Sequence, residues 1–104
     1  MATGKAVKQC RAILERYYGS RFKGLLLYGS TARATSSRSS DIDVLVLLSE
    51  PFDYFQELRR IVDLLYCVQL ESDRLISAKP APVDEFERGS IRLYRNAKRE
   101  GVLV

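Results

Sequence analysis

The chain contains no histidine. That absence excludes a Ser-His-Asp or Cys-His hydrolase and any histidine-ligated zinc site. Acid–base work must fall to carboxylates, or the reaction must need little of it. Phosphoryl-type transfer is a reaction of the second kind, because positioning and metal electrostatics carry most of its catalysis. Cysteine is scarce too. Cys10 and Cys67 fit no metal-ligand spacing and read as reduced, buried thiols. No apolar stretch approaches the roughly 20 residues of a membrane span; the run Val44 to Leu48 has strand length. The start, Met1-Ala2-Thr3-Gly4-Lys5, lacks the apolar core of a signal peptide. These absences set the expectation of a cytoplasmic protein that makes no use of a membrane.

What is present fits one domain, residues 1–104, with one modest core: 104 residues, 46% apolar and 29% charged. Seventeen Lys and Arg against 13 Asp and Glu leave a net charge of +4. Such an excess suits an anionic ligand such as ATP, or loose contact with RNA. The RNA reading is the weaker one, since the chain has no aromatic–basic motif of the known RNA modules.

Hydrophobic periodicity organises the chain. Ala6, Cys10, Ile13, Leu14 and Tyr17 recur at helical spacing and predict a helix over about 4–18, stopped by Gly19-Ser20. Phe22 to Tyr28 reads as a buried strand. Thr31 to Ala34 reads as a short helical turn, and Thr35 to Ser40 as a serine-rich loop. Asp41 to Leu48, rich in Val, Leu and Ile, is the clearest strand. After Pro51, Asp53 with Gln56 three residues on resembles a capping box. The helix it opens has an apolar face of Tyr54, Leu58, Ile61, Val62, Leu65 and Val68. A third strand is expected over Arg74 to Lys79, ended by Pro80 and Pro82. Ser90 is expected to cap a last helix that runs through Arg99 and stops at Gly101. The order α-β-β-α-β-α predicts a small α/β (α+β) domain, a mixed sheet of three to four strands with helices packed on it.

One constellation carries chemistry. Leu25-Leu26-Leu27-Tyr28 ends in Gly29-Ser30; ten residues follow, Thr31 to Ser40; then Asp41-Ile42-Asp43 opens the next apolar run. Two acids two apart on a strand face the same way, roughly 6–7 Å apart along it. That suits a shared divalent ion, and Mg²⁺ (or Mn²⁺) takes one or two carboxylates plus phosphate oxygens. Taken alone, Asp-x-Asp is more often a solvated pair. A Gly-Ser turn after a strand offers backbone N–H groups and a hydroxyl to a phosphate. Taken alone, it is an ordinary turn. The coincidence of all the parts, strand, Gly-Ser, spacer, Asp-x-Asp and strand, is far more specific than either.

This pattern resembles the DNA polymerase beta-like nucleotidyltransferase superfamily. The segment Gly29-Ser30-Thr31-Ala32-Arg33 and the tail Leu93 to Gly101 are similar to its small stand-alone branch, the minimal nucleotidyltransferases. The resemblance implies that Gly29 and Ser30 hold the triphosphate, that Asp41 and Asp43 bind Mg²⁺ and carry catalysis, and that Arg33 lies near the phosphates or the acceptor. It implies a HEPN-domain toxin as partner, with the chain as antitoxin, in some relatives by transferring AMP from ATP to a tyrosine of the toxin. It also implies a third carboxylate on the strand after the long helix. Ser77 stands about where that acid belongs, with Glu71 and Asp73 just before it. A module that binds nucleotide or toxin without chemistry is therefore the second reading.

Other features have ordinary readings. Arg88, Arg92, Arg95 and Arg99 recur on one helical face, most simply a solvated one. Of six tyrosines, Tyr17, Tyr28, Tyr54 and Tyr94 fall at apolar positions and read as core or interface. Arg38 reads as a solvated loop residue. The acceptor, the base preference and whether copies assemble with one another are not fixed by these residues.

Overall fold

The computed structural model describes residues 3–29 and 41–104. The sequence-predicted helical turn at 31–34, the loop at 35–40, and with them Ser30, Arg33 and Arg38 lie outside the described residues. Helix α1 (Thr3–Tyr18) and a 3₁₀ turn (Gly19–Arg21) lead into β1 (Phe22–Tyr28); β2 is Ile42–Leu48. Two helices, α2 (Tyr54–Leu64) and α3 (Tyr66–Glu71), connect it to β3 (Ile76–Pro82). Then come α4 (Val83–Arg88), α5 (Arg92–Glu100) and a short β4 (Val102–Leu103). The described strands form one mixed sheet in the order β3-β2-β1-β4. β1 pairs antiparallel with β2 and with β4, whereas β2 and β3 run parallel across the helical crossover.

Strand alternation sorts the side chains onto two covered faces. One carries Leu25, Val44, Val46, Leu48 and Ala78 and packs on Ala6, Cys10, Leu14 and Tyr18 of α1, Ile61 of α2 and Val68 of α3. The other carries Leu26, Leu45, Leu47 and Ala81 and packs on Phe86 of α4 and on Tyr94 and Ala97 of α5. β2 lies between two neighbours and under helices on both sides. Its run of apolar residues, buried at every position but Asp43, follows from that place. No helix among the described residues is long and apolar enough to cross a membrane.

Several sequence expectations are corrected. Pro80 and Pro82 do not end β3; they belong to it. β3 is an edge strand, and the bond from Ile42 N–H to the Leu75 carbonyl (2.8 Å) shows that odd-numbered residues there turn their backbone toward β2. The two prolines therefore present their missing N–H to the open edge, where it costs no ladder bond. The long helix after Pro51 is broken at Leu65. Asp53 does cap α2, accepting from Gln56 N–H at 2.9 Å. Tyr54 and Val62 are exposed rather than on the packed face.

Ser90 caps nothing. α4 and α5 are separate helices, α5 starts after Ile91, and Arg88 therefore lies on a different helix from Arg92, Arg95 and Arg99. On α1 it is Tyr18 that is buried, while Tyr17 is 47% exposed. The reason is a polar arrangement that periodicity does not report. The Tyr18 hydroxyl donates to the buried carboxylate of Glu57 at 2.9 Å, and Arg60, 3.5 Å from that carboxylate, donates to the Tyr17 hydroxyl. Cys10 is buried as expected, but Cys67 is exposed.

Candidate active site

The site lies at one end of the sheet face that α4 and α5 cover. Paired strand residues share a face, so the register lays out rows across the sheet. The first row is Tyr28, Asp43 and Ser77; the second is Leu26, Leu45 and Lys79. The second row is continuous with the apolar packing beneath α4 and α5. The first is where that packing gives way to polar groups, with Asp41 exposed just ahead of β2 and Gly29 just past β1.

Gly29 has φ +77°, a left-handed conformation that side chains disfavour. A Cβ built there would stand 2.7 Å from Oδ2 of Asp43. The glycine thus lets the carboxylate lie against the end of β1. That is a second reason for glycine at this position, beside the phosphate approach expected from sequence, and only the folded register reveals it.

Electrostatics at Asp43 are unfavourable without a cation. Burial, and then the negative charge of Asp41, hold its carboxyl above the ordinary carboxylate value, while Lys79 pulls it partly back. The neighbouring Tyr28 hydroxyl is pushed up to about 12, by burial first and then by the charge of Asp43. The half-buried Asp43 carboxylate, beside the charge of Asp41, offers with it hard oxygen donors to a divalent ion. Binding such an ion would relieve both penalties. The residues present therefore fit Mg²⁺ or Mn²⁺.

The structure brings together Gly29, Asp41 and Asp43 of the sequence-predicted site residues; Ser30 and Arg33 fall outside the described residues. It sets Ser77 directly beside Asp43 in the parallel register. Among the described residues, no three of Asp, Glu, His and Cys stand close enough to hold a metal ion, so neither Asp73 nor Glu71 joins Asp41 and Asp43. Tyr28 packs against the core beneath α4 and α5, as its apolar position predicts, and also lies beside Asp43; Lys79 is a candidate site residue that the motif does not include. Lys79 could have been found, because it lies two residues after Ser77 and strand period alone puts both on one face. A concave surface lined by Ala12, Ile13, Arg16, Tyr17 and Leu64 lies on the α1 side of the sheet, away from the acids.

Comparison with known proteins follows the same line. Residues 7–104 match the family model of the nucleotidyltransferase domain. A protein of Methanocaldococcus jannaschii, provisionally named a protein adenylyltransferase, is 35% identical over 79 residues, covering 72% of this chain and 79% of the relative. The fold is shared with a crystal structure of a mutant MntA-HpeT toxin–antitoxin (TM-score 0.61, 17% identity, 100% of this chain and 72% of that one). It is shared as well with a crystal structure of a toxin–antitoxin with AMP-PNP (TM-score 0.55, 20% identity, 92% of this chain and 70% of that one).

Proposed function

The chain belongs to the nucleotidyltransferase domain family, and from that premise we propose that it moves AMP from ATP to a hydroxyl of a partner protein, with Asp41 and Asp43 holding Mg²⁺. The observation that carries this reading is the Asp43 carboxylate lodged against Gly29, with Asp41 beside it, at the junction that links the phosphate turn to the acid pair. Bound there, Mg²⁺ supplies charge neutralisation for the triphosphate.

The protein's own residues supply position. The Gly29-Ser30 turn holds the phosphate tail, and Arg33 steadies the phosphates or the acceptor. An acceptor hydroxyl oxygen attacks the α-phosphorus in line. The bond from that phosphorus to the β-bridging oxygen breaks, pyrophosphate departs, and the hydroxyl proton passes to water.

Two observations point to the acceptor. The curated relative carries a protein-adenylylation name, and the two structures that share the fold are toxin–antitoxin assemblies, one of them with AMP-PNP. They support an acceptor on a toxin protein; a tyrosine of a HEPN-domain toxin in the cytoplasm is the finer proposal, and it comes from the motif resemblance. Among the described residues no third acid stands beside Asp43 to take a proton. The lone protein should therefore bind ATP yet transfer AMP slowly, with the partner completing the site. Mass spectrometry after incubation with ATP and Mg²⁺, with and without the product of the neighbouring gene, tests this. An AMP adduct on the partner supports it, and an unmodified partner in the presence of bound ATP sinks it.

The second reading, contact neutralisation by a catalytically idle domain, is favoured by one observation: Ser77, not an acid, pairs with Asp43. It predicts that Asp43→Asn leaves neutralisation intact.

A further inference from the structure

Two carboxylates define the centre, and among the described residues no third acid joins them. Residues 1–2 and 30–40 contain no Asp, Glu, His or Cys. The β3 position beside Asp43 is Ser77, a neutral hydroxyl, and the next side chain on that face of β3 is Lys79, opposite Leu45. Two-ion sites hold their ions about 4 Å apart and need carboxylates to bridge and surround them. Here a second divalent ion would meet a serine and a lysine instead.

The geometry points to a single-ion centre in which the ammonium of Lys79, carried on the edge strand, holds a phosphate of the bound triphosphate where a second metal ion would otherwise stand. This rests on the nucleotidyl-transfer reading and specifies how that site meets its substrate. Lys79 is exposed at the sheet edge, so its ammonium is free to meet a ligand, and its charge already reaches Asp43. A lysine suits the role: a compact cation on a four-carbon stem, with three donors that can follow a phosphate oxygen. The same cation repels a metal ion when no nucleotide is present. Lys79 should therefore act with opposite signs on the two ligands, hindering the bare ion and helping the triphosphate.

That sign difference makes the test. Mn²⁺ replaces Mg²⁺ so that bound ions can be counted by electron paramagnetic resonance, and AMP-PNP replaces ATP so that no turnover intervenes. The wild-type chain should bind one Mn²⁺ per ternary complex. Lys79→Gln should bind Mn²⁺ alone more tightly than wild type but AMP-PNP at least about tenfold more weakly, the scale of one charge-assisted hydrogen bond. Lys79→Arg should restore most of the nucleotide affinity. Ser77→Asp should admit a second Mn²⁺. Two ions in the wild-type complex, or unchanged AMP-PNP affinity in a folded Lys79→Gln, would overturn the single-ion assignment while leaving nucleotidyl transfer standing. No AMP-PNP binding by the wild type would overturn both.

Discussion

Replacing Gly29 by alanine separates two roles that one glycine plays. The first is backbone freedom. At φ +77° an L-residue loses about 1–2 kcal/mol, and for a domain near 100 residues each kcal/mol moves the midpoint by about 4–8 °C. Strain alone should therefore lower the melting temperature of Gly29→Ala by about 4–16 °C.

The second role is space. The new Cβ would stand 2.7 Å from Asp43 Oδ2 but 3.5 Å from Cγ and 3.6 Å from Cβ. The carboxylate tip must turn away, which costs little in stability because it is the end of a rotatable side chain, but it displaces the proposed metal ligand. Gly19→Ala provides the control: φ is +58° and nothing lies within 4 Å of its added Cβ. It should show comparable strain with no effect on the site. At a hundredfold excess over its dissociation constant, Mg·AMP-PNP stabilises a protein by about 2.7 kcal/mol. Scanning calorimetry should find that ligand-induced rise preserved in Gly19→Ala and mostly gone in Gly29→Ala. Equal rises in the two variants would refute the claim that Gly29 makes room for a working Asp43.

Two further outcomes follow from the structure, and a third from the Gly29-Ser30 motif. The fold holds the Asp43 carboxyl above its ordinary value of 3.8, so it favours the protonated form. The resulting penalty develops as pH rises from that value through the folded pKa and is fully present above it. In EDTA at neutral pH, Asp43→Asn should therefore melt higher than wild type, and a lower melting temperature would contradict the cause given for the shift. Tyr18→Phe removes a buried donor from Glu57 and should lower unfolding free energy by about 1.5–3 kcal/mol in urea titration; a change under a few tenths would show that Arg60 alone satisfies that carboxylate. Ser30→Ala should weaken ATP binding by about 1.5–3 kcal/mol in calorimetry, and wild-type affinity would remove the serine from the phosphate site.

The fold was legible wherever one physical signal dominated. β1 and β2 could be read almost to the residue, because strands buried on both faces have few polar interruptions. The Asp53 cap could be read because its chemistry is local. The sequence predicts too short a β3 because prolines break most strands, and only the tertiary position at an edge makes them harmless. β4 has two residues, too few for any period, and exists only because β1 offers it a free edge. Helical periodicity selects Tyr17 rather than Tyr18, because the burial of Tyr18 goes with Glu57, a polar partner from another helix. At the candidate site, motif chemistry singles out Asp41 and Asp43, and the fold sets the two side by side. The contact between Gly29 and Asp43, the pairing of Ser77 with Asp43 and the reach of Lys79 belong to the register between strands, and no local pattern encodes it.

The most direct test of nucleotidyl transfer is to supply ATP labelled either at the α-phosphate or at the γ-phosphate, with Mg²⁺ and the proposed partner, and to follow which label becomes covalently bound to protein. The account predicts that the α-label is retained and the γ-label leaves with pyrophosphate. It also predicts that retention disappears in Asp41→Asn/Asp43→Asn while that variant remains folded. Retention of the γ-label, or undiminished α-labelling by the double variant, would contradict it.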